Sequence, residues 1–167
     1  MNQQLVDFYR GIGPDNQGRM LTDMHKWSDA RLEGVHDYIQ WMFPLQERSQ
    51  FNLSAPLLDA ETIQEFETNL AIRTNMLRSF FRILDFYGFA WKMDGGIIRA
   101  NNFRDKAANW LSPNDHNHLR ITRILRCLYL TGYQNEARMF LAALEGVYKD
   151  SGKITAQSFG FWKAAVQ

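Results

Sequence analysis

Apolar residues recur along this chain at helical intervals, and the clearest run lies between Leu32 and Phe43. Stepped at roughly 100 degrees per residue, Leu32, Val35, Ile39, Met42 and Phe43 share one arc, the stripe of a helix that faces a core. Glu33, Asp37 and Gln40 fall on a second arc, nearer water. Trp41 lies almost opposite the stripe with Gly34 beside it, so the pattern predicts a helix packed on two sides. Ser28 or Asp29 supplies the side-chain acceptor for its first turn. Pro44 ends it, because the residue before a proline is pushed out of the helical region.

The same reasoning predicts the other elements. Gln3 to Tyr9 forms a short helix closed by Gly11, and Thr22 caps a helical segment over Asp23 to Trp27. Asp59 caps a long pattern reaching Tyr87, whose stripe shifts at Thr68-Asn69, so two helices or one bent helix are expected before the stop at Gly88. Asp94-Gly95-Gly96 marks a turn inside Phe89 to Ala100, read here as a loop. Further helices run from Asn101 or Asn102 through Trp110, from His116 to Thr131, from the cap Asn135 through Tyr148, and over the terminal Phe159, Trp162 and Val166. Strand alternation is nearly absent and no repeat period or linker appears. The expectation is an all-α, non-repetitive fold of about seven helices, as one domain over residues 1–167.

Composition narrows the function classes. At 167 residues, with 46% hydrophobic and 14% aromatic side chains, the chain can bury a real core filled by bulky rings. A formal net charge of +1 gives no global field toward nucleic acid or acidic membrane, so any anion site must be local. One cysteine, Cys127, leaves no internal disulfide and no multi-cysteine zinc site, which fits a reducing cytosol. No leader and no apolar run of about 18 residues is present, so a cytoplasmic protein without a transmembrane segment is expected.

Candidate chemistry concentrates in Asn117 to Arg126. Ile121, Ile124, Leu125 and Leu128 mark its core arc, whereas Arg120, Arg123 and Arg126, three apart, are expected to fan across the opposite face. No acid in that helix stands three or four positions away. Guanidinium forks match carboxylate or phosphate, so the row is a candidate anion site; the plainer reading pairs it with acids elsewhere or leaves it solvated. With Arg99, Arg104 and Lys106 it also suggests a phosphate track, but no helix-turn-helix or RNA-binding signature accompanies it, which disfavours nucleic acid. His36-Asp37 has the form of the dyad of HD-type metal-dependent phosphohydrolases, with His25 and Asp115 as nominal further ligands. The plainer reading of His36, and the favoured one, is a partly buried histidine held by one hydrogen bond. Nucleophile elbows, active-cysteine contexts and glycine-rich phosphate loops are missing.

Two separated runs carry a family resemblance. His36-Asp-Tyr-Ile-Gln-Trp-Met-Phe-Pro44 and Asn117-His-Leu-Arg-Ile-Thr-Arg-Ile-Leu125 are similar to signature runs of the conserved domain of the opioid growth factor receptor family. Phe8-Tyr-Arg-Gly11, Phe86-Tyr-Gly88 and the Asn101-to-Trp110 region resemble it too, in order along nearly the whole chain. The resemblance implies a soluble receptor-like domain whose animal members bind the pentapeptide methionine-enkephalin, act at nuclear or perinuclear sites and carry long further regions. The combined expectation is a non-enzymatic module without cofactor or metal. It would bind a peptide or a carboxylate- or phosphate-bearing ligand through Arg120, Arg123 and Arg126, with His36, Gln40 and Trp41 as neighbours. A metal-dependent phosphohydrolase and a nucleic-acid-associated helical domain remain the alternatives.

Overall fold

A computed structural model describes all residues, 1–167, and contains ten helices and one small hairpin. The helices are α1 (Gln3–Arg10), α2 (Leu21–Met24), α3 (Asp29–Gly34), α4 (Ile39–Met42), α5 (Ala60–Thr68), α6 (Leu70–Tyr87), α7 (Phe103–Ala107), α8 (His116–Leu130), α9 (Gln134–Ser151) and α10 (Ala156–Ala165). Strands β1 (Phe89–Trp91) and β2 (Ile97–Arg99) pair antiparallel with Ala90 opposite Ile98. The chain is therefore mostly helical, but ten helices replace the expected seven or so, and a hairpin replaces a loop. Gly95 at φ +85° turns the chain between the strands, and its N–H bonds the Lys92 carbonyl at 2.9 Å.

The largest departure is in the run that organised the sequence reading. The expected helix from Ser28 to Phe43 is two short helices, α3 and α4, separated by Val35 to Tyr38. Val35 is extended at φ −93°, ψ 129° directly after Gly34. A glycine followed by a β-branched residue makes the helical conformation weakest at that point. Both outer ends follow expectation. Ser28 Oγ accepts the Arg31 N–H at 3.2 Å, and Phe43 leaves the helical region ahead of Pro44.

Two compact units divide the chain, Met1–Arg82 and Ile83–Gln167. In the first, Tyr9 and Phe66 rings stand 4.7 Å apart, and Phe8 meets Trp41 edge-on at 5.3 Å. Asn75 donates to the Tyr9 carbonyl at 2.7 Å, while the Tyr9 hydroxyl donates to the Met42 carbonyl. Asp59 caps α5 as expected, accepting the Thr62 N–H at 2.8 Å. Asn69, extended at ψ 115°, separates α5 from α6 where the stripe shifts. Thr22 caps nothing; it sits inside α2, whose N-cap is Met20.

In the second unit α8, α9 and α10 pack on one another and α9 packs on β2. Trp110 and Trp162 are fully buried, and their indole N–H groups donate to the carbonyls of Tyr87 (3.1 Å) and His118 (2.9 Å). Cys127 lies wholly inside on α8, and burial pushes its thiol pKa up. No helix of the protein is long and apolar enough to cross a membrane.

Gly88 sets the exit from α6 at φ +87°, and a Cβ there would meet Lys106 Cβ at 2.9 Å and Phe103 Cα at 3.0 Å. Gly88→Ala should therefore lose about 2 kcal/mol or more, from left-handed strain together with the backbone clash. Gly95→Ala has a similar φ but nothing within 4 Å, so it should lose only about 1 kcal/mol. Urea unfolding of both variants checks the difference; equal losses would contradict the clash.

Candidate functional site

Helix α8 starts because the Asp115 carboxylate accepts the Asn117 N–H at 2.8 Å, and its buried face runs through Asn117, Ile121, Ile124, Leu125 and Leu128. The arginine row does not lie on one outward face. Three residues advance a helix by about 300 degrees, so a row spaced by three drifts about 60 degrees per step. Arg120, three after Asn117 and four before Ile124, is buried with 7% of its surface exposed. Arg123 and Arg126 are half-buried, and Arg126 Nη1 donates to the Gln167 carbonyl at 3.1 Å. The row thus passes from interior to rim.

His36, Gln40 and Trp41 belong to the other unit. His36 is exposed on the non-helical link between α3 and α4. Gln40, expected near water, is buried at 6% exposure, and Trp41 is buried at 2%. Gln40 Oε1 and Trp41 Nε1 have no hydrogen-bond partner.

The nominal phosphohydrolase ligands have other roles. Asp37 accepts from Arg19 Nη1 at 2.8 Å, and Asp15, buried at the next turn, holds the same guanidinium. His25 Nε2 bonds Ser79 Oγ at 2.8 Å. Asp115 caps α8. No group of three His, Cys, Asp or Glu residues is placed to hold a metal ion.

A cleft that sequence reading missed opens in the second unit, with a volume of about 430 Å³. Its apolar lining comes from Phe103, Ala107 and Leu111 around α7 and from Val147 on α9. Three cations line it as well, Arg99 at the end of β2, Arg104 on α7 and Lys153 after α9. Asp150 is the one acid in the lining and binds Arg99 Nη2 at 2.7 Å. Three cations against one acid leave a local excess of two positive charges. The Arg99 guanidinium also sits 5.2 Å from the Phe103 ring centre, so two contacts fix it. Such a surface suits an anion attached to an apolar body. Arg99 and Arg104, grouped in the sequence with a phosphate track, turn out to flank this cleft. Lys106 is drawn to Asp85 at 3.4 Å. Only the spacing of Arg99 and Arg104 hinted at the site; Lys153 lies too far along the chain to be associated with them.

The family model for the opioid growth factor receptor conserved region matches residues 4–167. The opioid growth factor receptor of Rattus norvegicus is 36% identical over 136 residues, which cover 78% of this chain and 23% of that protein. The receptor of Homo sapiens is 34% identical over 136 residues, 78% of this chain and 20% of that protein. Opioid growth factor receptor-like protein 1 of Mus musculus is 38% identical over 116 residues, 67% of this chain and 24% of that protein. The matched chain thus spans about a fifth to a quarter of these relatives. No solved structure matches it.

Burial, with Arg78 and Arg82 nearby, lowers the His25 pKa from 6.5 to about 4. The folded state therefore keeps His25 neutral while the unfolded chain takes up a proton below 6.5. The stability this group contributes is complete above pH 6.5 and is lost as pH falls toward 4. Denaturant unfolding between pH 7 and 4 should show stability declining with acid, and His25→Gln should flatten that slope. An unchanged slope in the variant would assign the acid sensitivity elsewhere.

Proposed function

Because this chain belongs to the opioid growth factor receptor conserved-region family, we infer that it is a binding module whose ligand is a peptide segment carrying carboxylates on an apolar backbone of side chains. The observation that carries this reading is the cleft where Arg99, Arg104 and Lys153 ring an apolar lining with one acid among them. The apolar lining provides area for side chains, while the arginines offer forked donors to carboxylates. The word receptor in the names of the relatives supports a ligand-binding role, although those proteins are four to five times longer than the matched segment. Opioid peptides as ligands of this chain follow only from those names. Catalysis has no comparable support, since the His36-Asp37 pair sits on a link between helices with Asp37 bonded to Arg19.

A second contact set is favoured by one observation, the unpartnered Gln40 Oε1 and Trp41 Nε1 in the first unit. An acceptor and a donor without partners there are suited to peptide amides. In this reading His36, Gln40 and Trp41 contribute polar contacts within the first unit, and the charged row Arg120, Arg123 and Arg126 on α8 is a separate contact set of the second unit.

Fluorescence anisotropy with a labelled peptide alternating Glu and Leu, against one alternating Lys and Leu, tests the cleft. The acidic peptide should bind more tightly, and its affinity should fall with salt. Arg104→Glu with Lys153→Glu should weaken it at least about tenfold, or about 1.4 kcal/mol. Asp150→Asn should strengthen it. Equal binding of both peptides, or indifference to the double variant, would overturn the assignment.

A further inference from the structure

A smaller pocket of about 180 Å³ lies where the first turns of α8 and α10 border it, with His118 in its wall. His118 is only 3% exposed. Its Nε2 lies 3.0 Å from the Trp110 carbonyl, and a carbonyl only accepts, so Nε2 carries the proton. Nδ1 is consequently a lone-pair acceptor, and it has no partner. The ring is packed edge-on by Trp110 at 6.4 Å and Trp162 at 5.5 Å, which hold that orientation. Burial also lowers the His118 pKa, keeping the imidazole neutral.

The rest of the wall identifies what reaches that acceptor. Asp115 is the one charged side chain in the lining, so the pocket favours positive charge. Both helix starts are already capped, with Asp115 accepting the Asn117 N–H at 2.8 Å and Thr155 Oγ1 the Ser158 N–H at 3.1 Å. An anion therefore gains little from them. Leu119 and Phe161, two bulky apolar side chains 57% and 50% exposed, also line the pocket. Its volume falls below the roughly 300 Å³ of sites for larger ligands, so it fits a single short stem.

We propose that this pocket takes a primary ammonium group on a short apolar stem, donating to His118 Nδ1 and the Asp115 carboxylate while the stem lies against Leu119 and Phe161. The site is independent of the cationic cleft and opposite to it in charge. Its ligand is a small alkylamine or a lysine side chain, which share this chemistry.

Nitrogen NMR of the full chain, observing the His118 ring, tests the assignment with n-butylammonium, n-butanol and a blocked Gly-Lys-Gly peptide. Butylammonium should move the Nδ1 resonance saturably while butanol at equal concentration does not. A matching response to the peptide identifies lysine as the natural group, and a response to the free amine alone identifies a small amine. Asp115→Asn, which keeps a capping acceptor, should weaken binding roughly tenfold or more. Gln157→Arg, at an exposed position in the lining, should block it by placing a fixed cation there. A silent Nδ1, an equal response to butanol, or no effect of Asp115→Asn would overturn the proposal.

Discussion

A chain folded into ten helices, several of one turn or two, has many helix ends, and every C-terminal end leaves backbone carbonyls without intrahelical partners. Leaving such a group buried and unbonded costs about 1–3 kcal/mol, so the architecture depends on side-chain donors that reach those carbonyls. In the first unit Tyr9 serves the last residue of α4, Asn75 serves the last turn of α1, and Arg82 serves Trp27 just ahead of α3 at 2.7 Å. In the second, Trp110 serves the end of α6 and His118 serves the turn after α7. Tyr9 and Trp110 thus do two things: their rings fill the interior, and their single polar atoms close the ends of helices.

This constraint also shapes the binding surfaces. With Nε2 of His118 committed to the Trp110 carbonyl, only Nδ1 remains to meet anything else. In the cleft, α7 is one and a half turns long and owes its position to Gly88, whose missing side chain lets Phe103 and Lys106 approach the end of α6. The ring of Phe103 then lies under Arg99, which Asp150 holds from the other side. A left-handed glycine at the end of one helix therefore determines where a guanidinium stands in the cleft.

Much of the fold was legible because its signals are local. Asp59 and Ser28 are caps whose bonds lie within three residues, and Gly88 stops α6 through its own positive φ. The break between α3 and α4 was not legible. The apolar stripe continues in register through Val35 to Tyr38, and periodicity reports which residues face inward without reporting whether the backbone stays hydrogen-bonded. The hairpin showed its turn, Asp94-Gly95-Gly96, but strands of three residues are too short for alternation to register. Arg120 was misplaced because three-residue spacing was read as one face, although its drift carries the first member inside. The cleft was out of reach for another reason. Lys153 and Arg99 stand far apart in sequence, and only the packing of α9 on β2 makes them neighbours.

Cys127 is the single thiol in the chain, enclosed in the last turn of α8 beside the Thr131 hydroxyl, which donates to the carbonyl of Cys127 at 2.8 Å. Nucleophilic sulfur chemistry needs both access and a thiolate, and this position denies both. The folded molecule is consequently silent toward disulfide exchange and alkylation. Each modified copy records a moment when α8 had come away from its neighbours, giving the protein a native stopwatch for its own breathing.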